Sequence, residues 1–344
     1  MPKQNKITIK KEKNPPTENQ PNNPTPLLGK FPKPSSLLGL TSPSSAIDPK
    51  KLKSGIQYLK SAGHTITMPI DPSKYFERFD YLFSNGSPKE RAKALISLFK
   101  NPKVAAIIAA RGGYGAIEIL PHLDYATIKH HPKIIAGFSD CTAIFSAIWK
   151  YCSLVSLHCY CIPLLASQPK ENTAAQQTLN ITMEYLKGKL KNPYKGMKFP
   201  NIGGKEKASG RLIGGNLATF VSLLGSPYEA SLDNNILFFE DVNEPPYKIS
   251  RLLTQLELAG RLKKIAGVLI GDLAMDIKKP FDSPNGKNGP SALTVLERFF
   301  SRYKIPVLIG LPFGHCFPCY PLPFGGLAEI SGGKLELVDA CGVN

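Results

Sequence analysis

Long apolar runs are missing from this chain. Residues 104–110 (Val-Ala-Ala-Ile-Ile-Ala-Ala) span about one strand, whereas a helix crossing a bilayer needs roughly 20 such residues. The first residues are rich in Lys, Asn and Pro and lack the apolar core of a secretory leader. A cytoplasmic location without a membrane partner is therefore expected. Cysteine is sparse and odd in number, seven in 344 residues, which argues against a disulfide framework. Cys316 and Cys319 follow His315, and Cys159 and Cys161 flank Tyr160 near His158. That spacing fits no common zinc pattern, so neither a metal nor another cofactor is expected. Acid is scarce too: 26 Asp and Glu stand against 43 Lys and Arg, a formal charge of +17. Such an excess can serve nucleic acid. The basic residues are scattered, however, with part of the excess in the N-terminal tail and in residues 187–207, and no RNP-like, zinc-finger or helix-turn-helix signature accompanies them. General attraction to anionic polymers or substrates is expected, rather than a specific nucleic-acid partner.

What remains is globular: 42% hydrophobic and 20% charged residues, with length enough for two cores. Residues 1–34 are polar with repeated Pro and Asn and read as a disordered extension. From 35 to 165, strand-like runs (37–40, 64–70, 104–110, 134–138, 154–159) alternate with helical stretches. Asp48-Pro49 and Ser87-Pro88 supply helix starts. This alternation predicts an α/β fold with a mostly parallel sheet covered on both faces. A helix over 173–186 and a Lys/Gly/Pro-rich linker fill 166–207. The segment 208–344 then reads as a second α/β domain. It has strands near 211–216, 236–239, 265–270 and 307–311, and a final hairpin around Gly332-Gly333.

Chemistry concentrates where buried strands end. At Gly137-Phe138-Ser139-Asp140 an apolar strand turns sharply into a helix, a geometry that can lift one hydroxyl above a helix N-terminus. It is half of a nucleophile elbow, since Cys141 replaces the second glycine; Ser-Asp before a helix is also an ordinary N-cap. Of six histidines, His315 follows Leu311-Pro312-Phe313-Gly314 at the end of a buried strand and is the best candidate base. His158 lies among apolar residues and reads as a core histidine. An orienting acid should also leave a strand end: Glu240 does so after Ile236-Leu237-Phe238-Phe239, with Asp241 and Glu244 as competitors. Strand alternation forbids Glu240 and Asp241 from facing one cleft together. Arg111-Gly112-Gly113-Tyr114-Gly115 follows another strand. Glu118 stands where a dinucleotide fingerprint needs glycine, and no Gly-Lys-Ser/Thr follows. An oxyanion or carboxylate nest suits it, with Arg111 available to a carboxylate.

These segments, together with Gly214-Gly215-Asn216-Leu217, Glu240-Asp241-Val242-Asn243-Glu244 followed by Arg251 and Gln255, and Gly310-Leu311-Pro312-Phe313-Gly314-His315, resemble the LD-carboxypeptidases in order and content. These are serine peptidases of the murein tetrapeptide carboxypeptidase type. The resemblance runs from about residue 37 to 337. It implies a catalytic triad of Ser139, Glu240 and His315, with oxyanion or substrate contacts from Arg111, Gly112, Gly113 and Asp140. It implies an N-terminal domain like class I glutamine amidotransferases (flavodoxin-like) and a C-terminal β/α domain of the family's own type. The implied reaction is hydrolysis of the bond between a diamino acid and terminal D-alanine in cytoplasmic murein tetrapeptides, by a homodimer. A related branch instead hydrolyses a peptide–nucleotide antibiotic and confers immunity to it. One departure stands beside the base: where the family commonly has Asn four residues after the histidine, this chain has Cys319, within Cys316-Phe317-Pro318-Cys319-Tyr320-Pro321.

Overall fold

The computed structural model describes residues 24–77, 83–282, 288–339 and 341–343. In the N-terminal sheet, strands Thr65–Thr67, Leu37–Thr41, Val104–Ala109, Ile134–Gly137 and Ser156–His158 lie side by side and parallel. Numbered along the chain they run 2-1-3-4-5, a doubly wound order of flavodoxin-like type. Its ligand crevice opens where the order reverses, beyond the carboxyl ends of the first and third strands. The turns at 42–45 and 111–115 occupy that place. The flanking helices start as their sequences dictate. Asp48 accepts from the N–H groups of Lys50 and Lys51 at 2.7 and 3.1 Å ahead of Pro49–Ser61. Ser87 and Glu90 form a reciprocal capping box ahead of Pro88–Lys100.

The C-terminal sheet sets Val307–Ile309, Gly267–Ile270, Ile236–Glu240 and Lys207–Asn216 parallel, then adds Leu327–Ser331 and Lys334–Leu337 antiparallel. The hairpin expected around Gly332-Gly333 forms, with Ala328 opposite Leu337 and Ile330 opposite Leu335. Three features depart from expectation. The strand expected over 64–70 shortens to Thr65–Thr67, at the sheet edge, where one flank has no partner to extend it. Leu322–Phe324, far along the chain, pairs antiparallel with Ser156–His158 and completes the N-terminal sheet; its Pro323 is tolerated because the position is an edge. The polar extension expected through residue 34 is engaged from Leu27 onward. Leu27 N–H donates to the Ser153 carbonyl at 2.8 Å, and Gly29–Lys30 pairs with Gly342–Val343. The apolar pair Leu27-Leu28 packs on the core, which a uniformly polar tail could not do. Residues 1–23 of that extension lie outside the described residues.

The two sheets meet along helix Thr142–Cys152, which is apolar and buried on nearly every side, because the second half of the chain closes over it. Gly215 has φ +125°, and a Cβ there would lie 2.4 Å from Thr142 Oγ1. With no side chain in the way, Asn216 N–H donates to Thr142 Oγ1 at 3.0 Å. One helical turn on, Ser146 Oγ donates to the Tyr228 carbonyl and accepts from Ala230 N–H, both at 2.9 Å.

Arg91, 1% exposed, ties the crevice turns together. Its guanidinium donates to the carbonyls of Gly86, Pro43 and Gly115 and, at 2.6 Å, to Glu118. Replacing it leaves those acceptors without their donor, the costly way to break a buried polar network. Arg91→Met should lower the free energy of unfolding by about 3 kcal/mol or more, read from urea denaturation.

Candidate active site

Strand Ile134–Gly137 gives way to a 3-10 turn, Ser139–Cys141, and then to helix Thr142–Cys152. Ser139 stands at the bend with φ +59°. A non-glycine residue there is uncommon and holds local strain, as functional turns often do. Gly112 explains how the neighbouring turn fits over it: a Cβ at 112 would lie 3.0 Å from Ser139 Cβ and 2.9 Å from the Phe138 carbonyl oxygen.

A parallel device brings the imidazole to its acid. Gly314 has φ +121°, and a Cβ there would meet Glu240 Cβ at 2.8 Å and Asp272 Cβ at 3.2 Å. The bare backbone lets the next residue close in, and His315 Nδ1 lies 2.6 Å from Glu240 Oε2. An ionised carboxylate only accepts, so the proton sits on Nδ1 and the Nε2 lone pair is left free. Glu240 is fully buried at the end of Ile236–Glu240. Burial pushes its carboxyl above the ordinary value, and the hydrogen bond from His315 opposes that rise. Phe138, immediately before Ser139, lies against the imidazole with ring centroids 4.3 Å apart. That contact sets the base beside the nucleophile's turn. His158 is buried beneath Phe138, with centroids 5.5 Å apart, and burial lowers its pKa to about 3. It is the neutral core histidine that its apolar neighbours suggest.

The competing acids are occupied elsewhere. Asp241 accepts from Asn216 Nδ2 at 2.9 Å and from Ala218 N–H at 3.0 Å, at the start of helix Leu217–Val221. Glu244 pairs with Lys248 at 3.2 Å. Asp140, buried, accepts from Ala116 N–H at 2.8 Å, so its carboxylate braces the glycine-rich turn. Arg111 spends one Nη1 bond on the Ala46 carbonyl at 3.1 Å. Burial, then Cys141 and Cys159, push the Cys161 thiol up, and the Gly112 backbone opposes that rise. Gly113, at φ +113°, makes no backbone hydrogen bond through its N–H among the described residues.

Sequence reasoning passed over Asp272. It follows Gly271 beyond strand Gly267–Ile270, beside the Gly314 turn, and burial pushes its carboxyl above the ordinary value while a backbone hydrogen bond and His315 oppose that rise. The rule that selected Glu240, an acid directly beyond a buried strand, would have found it. Among the described residues no group of three or more His, Cys, Asp or Glu is placed to hold a metal ion.

A buried carboxylate fixing one imidazole nitrogen, beside a serine raised on a strained turn, can deprotonate an alcohol for attack on a carbonyl. Family models point the same way: the LD-carboxypeptidase N-terminal domain matches residues 38–159 and the LD-carboxypeptidase C-terminal domain matches 209–330. This chain belongs to the LD-carboxypeptidase family. It is a serine-type carboxypeptidase, a hydrolase. The probable murein peptide carboxypeptidase of Bacillus subtilis is 30% identical over 316 residues, covering 89% of this chain and 92% of that protein. The microcin C7 self-immunity protein MccF of Escherichia coli is 28% identical over 310 residues, covering 83% and 86%. The crystal structure of muramoyltetrapeptide carboxypeptidase from Oxalobacter formigenes superposes with a TM-score of 0.71 at 29% identity, covering 87% of this chain and 97% of that one.

Glu240 also makes a stability prediction. With its pKa raised on folding, the unfolded chain loses the proton first as pH climbs past the ordinary carboxylate value of 4.5. Stability contributed by Glu240 at lower pH is therefore lost as pH rises. Glu240→Gln removes the buried charge. Its Tm relative to the parent should be more favourable at pH 7 than at pH 4, while kcat falls about 10³–10⁴-fold; thermal melts at both pH values and steady-state kinetics check both halves.

Proposed function

We propose that this enzyme removes the terminal D-alanine from murein tetrapeptides in the cytoplasm, acting on the L,D bond after the diamino acid, as a homodimer. The observation that carries the chemistry is the 2.6 Å contact between His315 Nδ1 and buried Glu240, beside the turn that bears Ser139. His315 Nε2 takes the Ser139 proton as Oγ attacks the carbonyl preceding D-alanine. Glu240 holds the imidazole in the required tautomer and balances the imidazolium that forms. The tetrahedral oxyanion is met by the N–H groups of Asp140 and of the Gly112-Gly113 turn. The imidazolium then returns the proton to the leaving amine of D-alanine, and water repeats the sequence on the acyl-enzyme. The Arg111 donors that make no hydrogen bond among the described residues suit the terminal carboxylate. The names of the Bacillus subtilis and Oxalobacter formigenes relatives support a murein peptide substrate.

Mass spectrometry of products from a murein tetrapeptide, with an aminoacyl-sulfamoyl nucleotide assayed alongside, tests the reading. D-Alanine and a tripeptide should appear, with the nucleotide turned over far more slowly; the reverse preference would place the enzyme with microcin immunity. Ser139→Ala should remove about 10⁴-fold or more of kcat and leave the thermal melt cooperative. A folded Ser139→Ala protein with parental turnover would end the proposal.

A further inference from the structure

The N-terminal sheet has a second concavity at the end where its strands begin, opposite to Ser139. Ser36, Val104 and Lys133 stand at the starts of Leu37–Thr41, Val104–Ala109 and Ile134–Gly137, and all three line a cavity of about 530 Å³. Its wall also carries Lys30, Lys33, Lys103 and His131, and among the described residues no Asp or Glu borders it. Lys133 is the unusual member. It is 8% exposed, and among the described residues neither a hydrogen bond nor an ion pair reaches its ammonium. Burial lowers its pKa. Other well-buried cations of this chain are compensated: Arg91 has four acceptors, and Arg211 has Asp339 at 3.1 Å and the Gly325 carbonyl at 3.0 Å.

A partly desolvated cation without a protein partner is unfavourable, and neighbouring like charges make it more so. Four lysines and a histidine border one volume without an acid among the described residues, and an anion that arrives from outside offsets their charge. Ammonium groups act on phosphate as point charges, and the volume exceeds that of one phosphate while falling in the range of small-molecule sites. We propose that this cavity binds a small anion carrying several phosphates, with Lys133 at its centre and Lys30, Lys33 and Lys103 around it. Because the cavity lies at the far end of the sheet from Ser139, its ligand is not the peptide being cut.

Inorganic tripolyphosphate is the probe, titrated calorimetrically into the full chain and followed by thermal melting. One equivalent should bind the parent and raise its Tm, since a ligand held only by the folded state stabilises it. Lys133→Met keeps the aliphatic stem and removes the charge. Its own Tm should equal or exceed the parent's, while binding weakens at least tenfold and the ligand-induced rise disappears. Lys103→Gln, at an exposed position, should weaken binding in the same direction and decides the matter should Lys133→Met fail to fold. A Lys50→Gln/Lys53→Gln control, on the outer face of helix Pro49–Ser61, should bind as the parent does. Absence of parent binding at millimolar tripolyphosphate overturns the proposal, as does equal weakening in the control, which would make the attraction one of net charge alone. Displacement of the probe by an oligonucleotide at equal phosphate concentration would equally overturn it, in favour of a nucleic-acid strand.

Discussion

Asn216 N–H donating to Thr142 Oγ1 is the contact that registers one sheet against the other. Thr142 begins the helix that follows Ser139, and Asn216 lies beside Glu240 in the paired strands Lys207–Asn216 and Ile236–Glu240. One short bond, permitted by the missing side chain of Gly215, therefore links the nucleophile's helix to the strand pair that carries the acid. The remaining link is equally local: Gly314 lets the histidine loop settle on Glu240. The three stretches of chain that bear the proposed catalytic groups come together because two glycines allow backbone to approach where any side chain would collide.

The same arrangement stores free energy that folding alone would not choose. Glu240 is a carboxylate with no exposure, and Ser139 occupies a left-handed conformation that suits few residues other than glycine. Surrounding packing compensates: helix Thr142–Cys152 and strand Ile236–Glu240 are almost wholly buried. Such local violations, supported by consistent structure around them, are where a fold gives way to chemistry.

Much of this was legible before any coordinates. Alternation of strands and helices foretold the parallel sheets, and capping residues such as Asp48 and Ser87 placed helix starts within a residue or two. Elements with their own local signal were read well: helix Thr173–Leu186 and the Gly332-Gly333 hairpin are examples. The proposed acid had a local signal in the sequence, because Glu240 ends a buried strand and strand alternation separates it from Asp241. Contacts between segments far apart were not. Nothing around Arg91 distinguishes it from a surface arginine on an amphipathic helix; its burial depends on turns 24 and 48 residues away at Gly115 and Pro43, and on one near it at Gly86. Leu322-Pro323-Phe324 is too short, and too interrupted by proline, to look like a strand.

That edge strand bears on how the molecule is made. Ser156–His158 would leave the ribosome as the open flank of a nascent sheet, its amide and carbonyl groups bare until some 160 later residues had been synthesised and Leu322–Phe324 could dock. An open flank of this kind invites pairing with foreign strands. Completion of the N-terminal sheet thus waits on a much later stretch of translation, and two separately produced halves would each carry a wound that only the other can close.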